Sequence, residues 1–217
     1  MNNTRPIFVI FFLIFSISAF GQLTQPQLDS LVKKYTQNLR KSGVDTLCVY
    51  EEYCIGCLFY SNENKNMCLE KISFLPTYIF WKQHGKTFMT KKDACFEYSV
   101  KNISNDVFWY YYLKNRDKIK KEELKAPQYK EIINGKEKIH SIDVDHSVYF
   151  RIMLNMGKDS VTKDINNFYF TKELGVNGEK NINYDYNMLT LLNNLHLVLQ
   201  KTIKAETAKK RLIATLR

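Results

Sequence analysis

The chain has 217 residues, enough for one sizeable domain. A hydrophobic share of 45% and a charged share of 25% exclude a disordered chain, and only 8 Gly and 4 Pro exclude collagen-like or linker-rich architectures. The net charge of +10 is spread along the sequence, which points to solubility rather than to a nucleic-acid or membrane patch.

The first 21 residues read as a signal peptide. Asn2 to Arg5 is polar with one positive charge, and Ile7 to Phe15 is unbroken and apolar. Ala19-Phe20-Gly21 then offers small side chains at the two positions that a signal peptidase must accept. The apolar core is short of the roughly 20 residues that span a bilayer. Cleavage after Gly21 is expected. The remaining chain, 22–217, loses Arg5 and no acid, so the charge of +10 becomes +9. It is expected to be exported, periplasmic or secreted, with no further membrane span. The richness in Lys, Asn, Ile, Tyr and Phe resembles bacterial proteins from AT-rich genomes.

Thr24-Gln-Pro-Gln27 has the form of a helix start. Leu28, Leu31, Val32, Tyr35 and Leu39 follow at helical spacing, and Gly43 suits the left-handed end of a helix. An amphipathic helix over 25–41 is predicted. From Thr46 the chain turns β-prone, first at Leu47 to Tyr50, then at Tyr53 to Tyr60 with a bend at Gly56. His84-Gly85 sits between Ile79–Gln83 and Lys86–Thr90, which predicts a two-residue hairpin turn. Phe96, Tyr98 and Val100 alternate with polar residues and predict another strand.

Ser104 or Asn105 is placed to cap a helix carrying Val107, Phe108, Tyr111 and Tyr112 on one face, although Phe108 to Tyr112 also has high strand propensity. Lys114 to Lys138 is charged and reads as an exposed, partly helical connection. Val148 to Met156 alternates strictly and gives the clearest strand. Gly157 turns it back toward Ser160–Lys163 and Asn167–Thr171 as pairing partners, and Gly175 to Gly178 marks a loop. From Asp185 to the end the pattern is helical, with Leu189, Leu192, His196, Leu199 and Ile203 on one stripe. The expected fold is a single α+β domain. An antiparallel sheet is packed by an N-terminal and a long C-terminal helix.

All five cysteines fall in the β region 46–100, at Cys48, Cys54, Cys57, Cys68 and Cys95. In an oxidising compartment Cys54, Cys57, Cys68 and Cys95 are disulfide candidates, and a bridge across tens of residues is worth about 2–4 kcal/mol. Five cysteines allow 15 pairings of four, which the sequence cannot choose among. Cys48, flanked by Leu47 and Val49, is expected to be the free thiol, acting as a small hydrophobe.

Three other chemistries are weighed on the same residues. The spacing of Cys54-Ile-Gly-Cys57 is similar to the redox pair of thioredoxin-like enzymes, but Leu58-Phe-Tyr-Ser61 does not continue as the helix that lowers such a thiol's pKa. Cys54, Cys57 and Cys68 with Cys95 or His84 have a ligand set for zinc, but no second knuckle follows and no metal or other cofactor is expected. Trp109 and Tyr110 beside Lys114 and Arg116 form a candidate aromatic-basic binding edge.

His196 sits on an apolar stripe and is expected to be a satisfied core residue. Asp143 and Asp145 would face away from His146 in a strand, so no orienting pair forms there. Hydrolase, metalloprotease, phosphate-loop and dinucleotide fingerprints are all missing. The expected function is therefore a non-catalytic binding or structural module, stabilised by disulfides, for an unidentified protein or envelope polymer and not for nucleic acid. The alternative is a thiol-disulfide oxidoreductase using Cys54 and Cys57.

Overall fold

A computed structural model describes residues 25–55, 76–93, 96–174, 178–209 and 214–216. In chain order the elements are α1 (Gln25–Lys41), β1 (Thr46–Ile55), β2 (Thr77–Gln83), β3 (Lys86–Lys92), β4 (Phe96–Tyr98) and β5 (Lys101–Ile103). These are followed by α2 (Val107–Lys121), β6 (Gln128–Ile133), β7 (Lys136–Ser141), β8 (Ser147–Met156) and β9 (Asp159–Asn166). A 3-10 turn at Asn167–Phe170 leads to β10 (Glu173–Leu174), β11 (Glu179–Lys180), α3 (Tyr184–Leu189), α4 (Leu191–Lys209) and β12 (Ala214–Leu216).

The main sheet is antiparallel, in the order β12-β4-β3-β2-β1-β8-β9, with β5 also pairing β3. The antiparallel α+β expectation holds, and helices cover both faces. The period of two along β1 explains why. Leu47 and Val49 point to one side, where they meet Leu28 and Val32 of α1 with Ile79 and Trp81 of β2. Cys48 and Tyr50 point to the other side, into a larger core with Phe80, Phe108, Trp109, Phe150, Leu195 and Leu199. Helices α2 and α4 close that side.

Helix α1 ends where its sequence says it should. Arg40 and Lys41 lie in the last turn, where cations meet the negative end of the helix dipole, and Gly43 takes φ +88°. The hairpin turn also has the expected form, with φ 50° at His84 and 71° at Gly85.

Several expected elements differ. The aromatic run is helix, since 3.6-residue spacing lets Phe108, Trp109, Tyr112 and Ile119 all enter the core. The residue before that helix is Asp106, whose carboxylate makes no cap bond and accepts from Thr87 Oγ1 at 3.0 Å. Val100 lies between two short strands and is exposed. The charged connection holds a complete hairpin, β6–β7, turned by Asn134 at φ 52° and Gly135 at φ 72°. Asn167–Thr171 is not a strand. Asn166 accepts from Phe168 N at 2.9 Å and starts the 3-10 turn instead.

The C-terminal helix is two helices. Thr190 interrupts it, donating to Asn187 O at 2.8 Å and accepting from Asn193 N at 3.1 Å. Leu189 therefore falls on α3 and is 80% exposed, off the expected stripe. Helix α4 is described over Leu191–Lys209, and Ala214–Leu216 pairs with β4 as a strand, so the helical pattern does not run to the end.

His196 is buried in the core of α4, sharing a 3.1 Å hydrogen bond with the Tyr50 hydroxyl through Nδ1. Its ring packs 4.5 Å from that of Phe150. Burial lowers its pKa from the ordinary 6.5 to about 4. The unfolded chain therefore takes up the proton first. The contribution of neutral His196 is complete above pH 6.5 and is lost as pH falls toward 4, at most about 3 kcal/mol. In urea titrations between pH 7 and 4.5, His196→Gln is expected to flatten the loss of stability with acid. An unchanged slope would show that another group drives it.

Candidate functional site

The residues proposed from sequence scatter. Cys57, Cys68 and Cys95 lie outside the described residues, as do Gly56 and the leader. Cys48 is free and fully buried, and burial raises its thiol pKa far above the ordinary value. Cys54 stands near the end of β1, paired in register with Val148, and is not a free thiol. It sits in a strand, not at a helix N-terminus, so no helix dipole lowers its pKa there.

The aromatic-basic edge is corrected by burial. Trp109 is 1% exposed and belongs to the core. Tyr110 next to it is 69% exposed, because one residue turns a helix by about 100°. Lys114 is exposed one turn on, while Arg116 is engaged with Asp117 at 3.4 Å and Asp159 at 3.6 Å. These four residues do not converge on one surface.

A different set does converge. Helix α1 packs over β1 and β2, and the same face of the sheet continues past it onto β8 and β9. The step between helix and sheet is a groove of about 430 Å³. Its floor is apolar, from Leu47, Val49, Val32 and Met153. Thr36 of α1 and Asn155, Ser160 and Thr162 of the sheet form a hydrogen-bonding rim. Strand register builds the floor in rows, with Val49 opposite Met153 and Met153 opposite Thr162.

One end of the groove is acidic. Glu51 pairs in register with Arg151, and Arg151 with Asp164. The guanidinium donates through Nε to Asp164 at 2.8 Å and lies 4.7 Å from the centre of the Tyr53 ring. Tyr53 stacks on Tyr149 at 5.2 Å and donates to Asp164 at 3.0 Å. Burial and the Asp164 carboxylate push the Tyr53 hydroxyl up to about 12, so it stays a donor.

Glu51 is the least satisfied member of this set. Its side chain is 10% exposed, and its ion-pair contact with Arg151 is long, at 3.7 Å. The shorter bonds of that guanidinium go to Asp164 and Tyr53. Burial, then the nearby Asp29 carboxylate, raise its pKa above the ordinary carboxylate range. Thr77, directly opposite it on β2, is buried, and its hydroxyl has no hydrogen-bond partner among the described residues.

The other end is basic. Helix α1 runs antiparallel to β1, which puts Asp29 near Glu51 and Arg40 near the start of β1. Lys33 and Arg40 line the groove on the helix side, and neither forms an ion pair with a described residue.

No sequence motif announces this site. Its residues come from α1, β1, β8 and β9, and only the register brings them together. The one local hint was Arg151, a charge in the middle of the strictly alternating strand. Among the described residues no group of three or more His, Cys, Asp or Glu side chains is arranged to hold a metal, and no helix is long and apolar enough to cross a membrane. Comparison of the chain with protein-family models, with curated proteins and with solved structures finds no match.

Proposed function

We propose that this protein is an exported, non-catalytic binding module of a bacterial cell envelope, stabilised by disulfides in the β region 46–100, and that it holds its ligand in the groove beside α1. The observation that carries the reading is the groove itself. It combines an apolar floor with polar groups fixed by strand register, the usual composition of a binding cleft. The leader-like residues 1–21 support export, and the cysteines clustered in 46–100 suit an oxidising compartment. No nucleophile, base and orienting group meet in the groove, which favours binding over catalysis.

The test is to fill the groove. Thr162 is exposed on β9, so Thr162→Trp places a large ring over the floor without disturbing the core. Immobilised wild-type protein is expected to retain a discrete component from a detergent extract of its own envelope, and Thr162→Trp to lose it at unchanged melting temperature. Equal retention by the two proteins would rule the groove out as the binding site.

A further inference from the structure

The charges at the two ends of the groove define what it is built to hold. This inference rests on the groove reading above and adds a ligand class to it. At one end two carboxylates, Glu51 and Asp164, meet the single guanidinium of Arg151. Formal charge in that set is one negative in excess, and a cation brought by a ligand would offset it. The nearly buried Glu51 carboxylate at this end lacks a strong partner. Among the described residues its one ion-pair contact is the 3.7 Å approach of Arg151. A buried polar group left without a hydrogen bond costs about 1–3 kcal/mol, which an incoming donor recovers.

At the other end Arg40 supplies a cation with no ion pair among the described residues, and Lys33 lies between the two ends. An anion fits there, and a guanidinium can hold a carboxylate through two parallel bonds. The ligand class must therefore carry a positive group and a negative group, separated by a fixed distance. Leu47 and Glu51 mark the two ends on β1, four residues apart, or about 13 Å of strand. That is the span of about four extended residues. Between the ends, the apolar floor suits short side chains, while Thr36, Asn155, Ser160 and Thr162 offer hydrogen bonds to amides. An anionic polymer would be repelled at Glu51, and an uncharged glycan would leave both ends unused.

We propose that the groove binds a short extended peptide of about four residues with both termini free, its amino group at Glu51 and its carboxylate at Arg40.

The test uses the purified protein and three random-sequence tetrapeptide pools, one with free termini, one N-acetylated and one C-amidated. Binding is read from the Met153 methyl resonance. The free pool is expected to shift it, and either cap to weaken the titration at least ten-fold. Glu51→Gln is expected to weaken the free pool by a similar factor and to leave the acetylated pool as it was. Arg40→Gln does the same for the carboxylate end, and because Arg40 is exposed on α1 its replacement leaves the fold intact. The proposal is overturned if no pool shifts Met153, or if both caps bind as well as the free pool. Should the pools fail while Thr162→Trp still abolishes retention of the envelope component, the peptide assignment falls and the binding reading stands. Should Thr162→Trp retain it, the groove reading falls first.

Discussion

Replacing Trp109 with alanine is expected to lower the unfolding free energy by about 3–5 kcal/mol, the range for deleting a large buried aromatic. The ring is 1% exposed and packs 4.6 Å from Phe108 in the core between sheet and helices. Few residues in the chain bury as much area. The indole also carries a penalty, because its Nε1 is buried with no hydrogen-bond partner among the described residues. Trp109→Phe removes that orphan N–H while keeping most of the ring, so its cost is expected to be far smaller than that of alanine. Tyr110→Ala, one residue on, faces water and is expected to stay within about 0.5 kcal/mol of the parent. Urea unfolding of the three variants measures all of this. Equal losses at positions 109 and 110 would mean that the helix is not oriented as described.

The second large effect is expected at Asp93. Its side chain is fully buried beyond the end of β3 and is held by three donors. The Tyr98 hydroxyl donates to Oδ2 at 2.7 Å, Phe96 N donates to Oδ1 at 2.7 Å, and Lys91 Nζ lies 3.0 Å from Oδ2. Burial alone would raise this carboxyl. The Tyr98 bond, the Lys91 charge and the Phe96 amide outweigh it and hold its pKa below the ordinary carboxylate range.

Asp93→Asn keeps the shape and removes the charge, leaving the nearly buried Lys91 ammonium without this counter-charge. Breaking a buried pair on one side costs about 3–5 kcal/mol. Lys91→Met in the same protein is expected to restore a large part of that loss, because the ammonium that lost this counter-charge then goes too. A double variant as unstable as Asp93→Asn alone would show that the three-donor cradle, and not the pair, carries the energy.

Much of the fold was legible because several segments carry a single dominant period. The stripe of α1 repeats every three to four residues and stops at Gly43, and β8 alternates without a break. Where two periods compete, the sequence does not decide. Phe108 to Tyr112 is aromatic at every position, so no polar gap marks the helical face. The β6–β7 hairpin has the strongest turn signal in the chain, Asn134-Gly135, yet its strands are exposed on both faces. Ile132 is 68% exposed, so the expected alternation of apolar and polar residues never appears.

The break at Thr190 was visible as a capping residue but was masked by leucines on both sides. The groove was the least legible feature. Its floor is set by which residue of β1 stands opposite which residue of β8, and that pairing joins segments far apart in the chain.

The β1–β8 pairing has a kinetic side. The neighbours on either flank, β2 with β3 and β8 with β9, are tight hairpins that need only local contacts to form. Joining them along β1 and β8 means closing a very long loop before any of those bonds is made, and the entropy of that closure falls on the folding barrier. Substitutions along the β1–β8 line are therefore expected to slow folding, and those within either hairpin mainly to hasten unfolding, which the two arms of a chevron plot would measure.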